Sequence, residues 1–159
     1  MVAGSTVSGT ILEGPVDVSG GQYQFSGLSS NTTHRIIVVA QNSEGYSVMQ
    51  ILQSTAGIPP VLNALAILVF DSSSITLAQP TFSTAGNPPP TVEAYIGVNG
   101  SISVAGSTVS GTILEGPVDV SSGGYQFNSL SANTTYRIIV VAQNSTGYSV
   151  MQIVQTTAP

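Results

Sequence analysis

NTTYRIIVVAQN, residues 133–144, decides the reading of this chain. It places Ile138, Ile139, Val140, Val141 and Ala142 in unbroken succession, a pattern that suits a central strand covered on both faces better than an edge strand. The stretch occurs a second time as NTTHRIIVVAQN, residues 31–42, with His34 in the place of Tyr136. At this offset of 102 residues, residues 2–57 align with residues 104–159 without a gap and differ at ten positions. Two copies so alike are the mark of a tandem array. One period leaves only about half a unit over, so the reading is an incomplete repeat over residues 1–57 followed by a complete unit over residues 58–159. GIPP, residues 57–60, reads as the linker between them.

Short β-rich runs separated by Gly, Pro, Asn and Ser clusters predict an all-β sandwich. Seven strands are expected in the complete unit, at residues 63–70, 74–79, 91–98, 108–114, 125–130, 135–144 and 149–155. Ile75 and Leu77 share one face of their strand, and Val92, Ala94, Ile96 and Val98 share a face opposite Glu93 and Tyr95. The predicted core comprises Ile75, Leu77, Val92, Ala94, Ile96, Phe127, Leu130, Tyr136, Ile138, Val140 and Ala142. AGNPPP, residues 85–90, cannot sit in a ladder and reads as a loop.

With LSANTTYRIIVVAQNSTGYS (residues 130–149) near its end, the unit resembles the fibronectin type III family of immunoglobulin-like β-sandwiches. The resemblance rests on Leu130, six residues before Tyr136, then on alternating Ile138, Val140 and Ala142, then on Asn144 and Gly147. It implies that residues 135–144 are strand F and that Tyr136 forms the tyrosine corner, its hydroxyl bonded to nearby backbone. His34 stands at that corner in the half copy, where a ring with a polar tip serves a structural role better than a lone metal ligand. The half copy would then carry strands C′, E, F and G without A, B and C. The tryptophan usual in strand B is replaced by Gln79, with Phe82 expected to fill the space.

The chemistry is sparse. Two arginines, no lysine and a pI near 4.2 exclude nucleic acid and a polybasic membrane patch. No apolar run is long enough to span a bilayer, and MVAGSTVSGT lacks the regions of a signal peptide. The absence of cysteine excludes disulfides and thiolate metal sites. Glu13 with Asp17, and Glu115 with Asp119 in ILEGPVDV, read as a solvated turn between C′ and E sooner than as an acid pair or a calcium site. With one histidine and no lysine, no Ser or Thr has an activating base. We therefore expect no enzyme activity, no cofactor and no metal.

Asn31, Asn99, Asn133 and Asn144 begin Asn-x-Ser/Thr sequons, which a Ser/Thr-rich chain also yields by chance. The strand phase puts Tyr95, Arg137, Ile139, Val141 and Met151 (or Val150) on an outer sheet face as a candidate contact surface, unless neighbouring side chains cover them. Arg137 and Glu93 are expected to pair there.

The resemblance implies a non-catalytic spacer or adhesion module of an extracellular or cell-surface tandem-repeat protein. The alternative is a protein- or glycan-binding accessory module of a secreted enzyme, using the outer face or the loops at residues 85–90 and 121–124. The half copy is expected to make a homo-oligomer, by strand exchange or by pairing of two halves.

Overall fold

The computed structural model describes residues 2–159, among which there is no helix. It divides into two compact units, one ending at Ala56 and one running from Gly57 to Pro159. In the first, β1 (Val2–Ala3) and β2 (Thr6–Val7) form a small hairpin, and β3 (Thr33–Asn42) and β4 (Gly45–Ser54) form a long one. The long hairpin is paired from Thr33↔Ser54 to Asn42↔Gly45 without a break. Its turn closes locally: the Asn42 side-chain oxygen accepts the N–H groups of Glu44 (2.9 Å) and Gly45 (3.0 Å).

The second unit contains β5 (Val61–Leu62), β6 (Ile67–Phe70), β7 (Ile75–Leu77), β8 (Phe82–Thr84) and β9 (Thr91–Val98). It continues with β10 (Ile102–Ala105), β11 (Thr108–Gly111), β12 (Glu115–Asp119), β13 (Tyr125–Phe127), β14 (Thr135–Asn144) and β15 (Gly147–Thr156). Two sheets, β13-β7-β6 and β12-β9-β14-β15, form the sandwich; they correspond to E-B-A and C′-C-F-G. Ile75, Leu77 and Phe127 from one sheet meet Val92, Ala94, Ile96, Tyr136, Ile138, Val140 and Ala142 from the other in one buried cluster. Leu130 and Phe82 pack against it half-buried. Leu62 and Val120 complete it. Burying each large aliphatic side chain contributes roughly 1.5–3 kcal/mol, so this cluster is the main source of stability.

Three expectations change. The run at 63–70 enters its sheet only at Ile67, because Asn63 turns aside, its N–H donating to Thr81 O at 2.9 Å beside the separate β5-β8 pair. Within the run at 108–114, β11 pairs with β10, and only Leu114 reaches the main sheet, its N–H donating to Ile96 O at 2.9 Å. Strand C′ lies instead in ILEGPVDV, against the expected turn: β12 pairs Glu115 with Ile96, Val118 with Ala94 and Asp119 with Glu93. The register slips between Glu115 and Val118, and this bulge accommodates Pro117, which has no N–H to donate, on an edge strand. Gly116 is needed there, since a Cβ would lie 2.8 Å from Ala94 O.

The first unit also departs from expectation. Residues 13–17 and 23–25, the copies of β12 and β13, form no strand. Both are edge strands whose partners, β9 and β7, come from residues 58–103, and the first unit has no copy of that segment.

The turn between β6 and β7 is held by Asp71. Its carboxylate accepts the N–H groups of Ser73 (2.7 Å) and Ser74 (2.6 Å) and the Ser74 hydroxyl (2.9 Å). These bonds, led by that from the Ser73 backbone, hold the carboxyl below the usual aspartate range. Because the folded pKa is the lower one, the stabilisation is present above the unfolded value of about 4 and is lost as pH falls through the folded value. Acid unfolding of Asp71→Asn should therefore depend less steeply on pH in that window than that of the wild-type chain, as read by denaturant midpoints.

Candidate contact surface

The outer face of the C′-C-F-G sheet is not open. Ile139 is 0% and Val141 4% exposed. The β10-β11 hairpin folds over them: Ile102 is buried with the pair, and Val104, Val109 and Ile113 pack around it with Tyr95 and Val150. The close approach depends on Gly97, where a Cβ would lie 2.4 Å from Ile102 Cγ2 and 2.7 Å from Thr112 O. The expected contact stripe is thus a second, smaller core, and cover by neighbouring side chains is the reading that holds. The signal was present in ISVAGSTV, residues 102–109, where Ile102, Val104 and Val109 flank a Gly-containing turn.

Met151 is a further correction. It lies opposite Val140 and packs on the main core, whereas Val150, opposite Val141, belongs to the outer face. Arg137 is half-exposed and its Nε donates to Asn99 Oδ1 at 3.1 Å. The expected pair with Glu93 is absent because register sets Arg137 opposite Gly97 and Glu93 opposite Val141. Glu93 instead accepts the Tyr95 hydroxyl at 2.7 Å.

Burial, followed by the Glu93 carboxylate, pushes the Tyr95 phenol up to about 12. Its folded pKa is the higher one, so the stabilisation is complete below about 10, the unfolded value, and is lost as pH rises towards the folded value. A spectrophotometric phenolate titration should show a late-ionising group that disappears in Tyr95→Phe.

Tyr136 is 2% exposed, and its hydroxyl accepts the Ser131 N–H at 2.8 Å. Tyr136→Phe leaves that donor without its partner and should cost about 0.5–1.5 kcal/mol in denaturant unfolding. In the first unit, His34 Nε2 lies 3.4 Å from Ser29 O, a weaker contact to the same loop.

Glu13, Asp17, Glu115 and Asp119 are each taken up by local hydrogen bonds. Glu115 accepts the Tyr125 hydroxyl, as Glu13 accepts that of Tyr23. Asp119 accepts the Ser121 N–H at 2.8 Å, as Asp17 accepts that of Ser19. A cleft of about 350 Å³ between β9 and β12, lined in part by Glu93, Pro117 and Asp119, holds two carboxylates and no third. No group of three or more metal-ligating side chains occurs among the described residues.

Of the two loops considered for binding, residues 85–90 are tied down by Asn144, whose Nδ2 donates to Ile58 O (2.9 Å) and Pro88 O (2.7 Å). This amide nitrogen is committed to structure. Neither that loop nor residues 121–124 carries an aromatic side chain. No helix among the described residues is long and apolar enough to cross a membrane.

No protein-family model and no curated protein matches the chain. Solved structures do. Domains d3–d4 of the rat CD45 extracellular region align at 11% identity over 99% of this chain and 81% of that chain, with a TM-score of 0.55. Titin domains A168–A170 align at 14% identity over 84% of this chain and 44% of that chain, with a TM-score of 0.50. A two-domain fibronectin type III segment from chicken tenascin aligns at 16% identity over 82% of this chain and 68% of that chain, with a TM-score of 0.44. The likeness to the first two is one of fold alone: the chain has a fibronectin type III-like, immunoglobulin-like β-sandwich.

Proposed function

We propose that the chain is a non-catalytic spacer and adhesion module from a tandem-repeat protein of the cell surface or extracellular space. The observation that carries this reading is the repeat itself. The two copies differ at only ten aligned positions, and the complete unit encloses its own core. Repeating a self-contained sandwich adds length and contact area, which suits a mechanical role better than a chemical one.

Single-molecule stretching of the chain tests it. The second unit should unfold as one event, lengthening the tether by about 3.4 Å for each of its roughly 100 residues, less the folded span. Gradual extension without such an event would overturn the spacer reading.

A further inference from the structure

We propose that the free edge of β15 pairs antiparallel with the same edge of a second copy of this chain, about a twofold axis through Gln152. β15 is the last strand of its sheet, with β14 as its ladder neighbour. It runs for ten residues in unbroken register, and GYSVMQIVQT holds no charged residue and no proline. The other outer strands of the two sheets are protected. β12 carries Glu115, Pro117, Asp119 and a register slip; β6 has four residues and a slip of its own, and β13 has three residues. Shortness, charge, proline and bulges keep an edge strand from recruiting another, and of these four strands β15 alone has none of them.

The residues of β15 select its partner. Counted outward from Gln152 in both directions, the strand is self-complementary: Met151 matches Ile153, Val150 matches Val154, and Ser149 matches Gln155. An antiparallel pair centred on Gln152 sets these residues opposite one another and keeps each on its own face of the sheet. Met151 and Ile153 already pack half-buried on the main core, so their pairing extends its rim. Val154, 48% exposed, meets Val150 of the partner subunit on the outer face. Leu62 N–H donates to Ser149 Oγ and Ala158 N–H to Asp71 O, so β6, which lies between these ties, runs beside β15. Its Leu68 (64% exposed) and Val69 (62%) add an apolar flank along this side of the sandwich. The joined sheet runs from one β12 to the other, both protected strands, and association therefore closes at two copies.

β4 has a similar pattern about Gln50 in different surroundings. Arg35 Nη1 donates to Gln50 Oε1 at 3.5 Å, so an axis through Gln50 would bring two guanidinium groups together. In the second unit Arg137 turns instead to Asn99, which follows β9 on the far side of β14 from β15, and the axis through Gln152 stays clear of charge. A contact built on one strand pair is small, which sets the dimer at the weak end of specific association.

Sedimentation velocity of the full chain from about 1 to 200 µM should show a monomer–dimer equilibrium. Gln152→Lys and Gln152→Glu each set like charges against one another on the axis and should each weaken the dimer about tenfold or more. An equimolar mixture of the two variants should associate at least as well as the wild-type chain, because the axis then joins opposite charges. Gln50→Lys, at the matching exposed place in β4, should leave the equilibrium unchanged. Gln152 is exposed, and hydrogen exchange across β14 and β15 must show the two strands still paired in every variant. A chain monomeric throughout, a dimer that Gln152→Lys leaves intact, a mixture that fails to associate, or equal loss with Gln50→Lys overturns the proposal.

Discussion

Phe127→Ala should destabilise the second unit by about 3–5 kcal/mol, while Phe25→Ala, at the equivalent position of the first, should cost well under 1 kcal/mol. Phe127 is 0% exposed and lies in the main cluster on β13, opposite Ile75. Its removal leaves a cavity that a sandwich tied by two sheets cannot close. Phe25 keeps the same edge-on contact with its tyrosine, 5.2 Å between Tyr23 and Phe25 against 5.1 Å between Tyr125 and Phe127, but no opposing sheet covers it. Hydrogen exchange on the two full-length variants reads the units separately. Equal losses in both would show that the aromatic pair, and not the opposing sheet, carries the energy.

Ile139→Asp should cost about 4 kcal/mol or more, a value no exposed position on a sheet face would give. The substitution gives up the burial of an isoleucine and places a carboxylate among Ile102, Val141, Val104 and Val109. Relief is available only if the β10-β11 hairpin lifts away. Exchange should therefore rise first in residues 102–111 and only afterwards in β9 and β14. Gly97→Val acts on the same hinge from below and should produce the same order of opening with a smaller loss of about 1–3 kcal/mol, since it overpacks without burying charge. An Ile139→Asp chain of unchanged denaturant midpoint would mean that the hairpin does not cover the sheet in solution.

Much of this fold is legible in the residues. Alternation placed Ile75, Leu77, Val92, Ala94 and Ile96 inside, and the five-residue apolar run in β14 read as a strand covered on both faces, which it is. What the run did not reveal is which element covers each side. A period of two assigns a side chain to a face, but the identity of the opposing layer depends on contacts between residues far apart in the chain. The β10-β11 hairpin, which covers the outer face, is such a layer. Arg137 and Glu93 failed to meet for a related reason: both lie on the predicted face, yet the offset of β9 against β14 sets them four residues apart along the strand. Facing is a local property, and register is not.

The repeat separates these two kinds of information. RIIVVAQN followed by a short turn and GYSVMQ forms a ten-pair hairpin in both units, from Thr33↔Ser54 in one and Thr135↔Thr156 in the other. The sequence by itself determined that much, because the turn-closing Asn42 or Asn144 and the cross-strand apolar pairs lie within the segment. ILEGPVDV occurs identically at residues 11–18 and 113–120, yet it is coil in the first unit and holds β12 in the second. An edge strand takes its ladder bonds from a neighbour, and only the second unit has β9 to provide them. Tertiary structure alone decided that octapeptide, and with it whether the inner face of the hairpin is a core or an open surface.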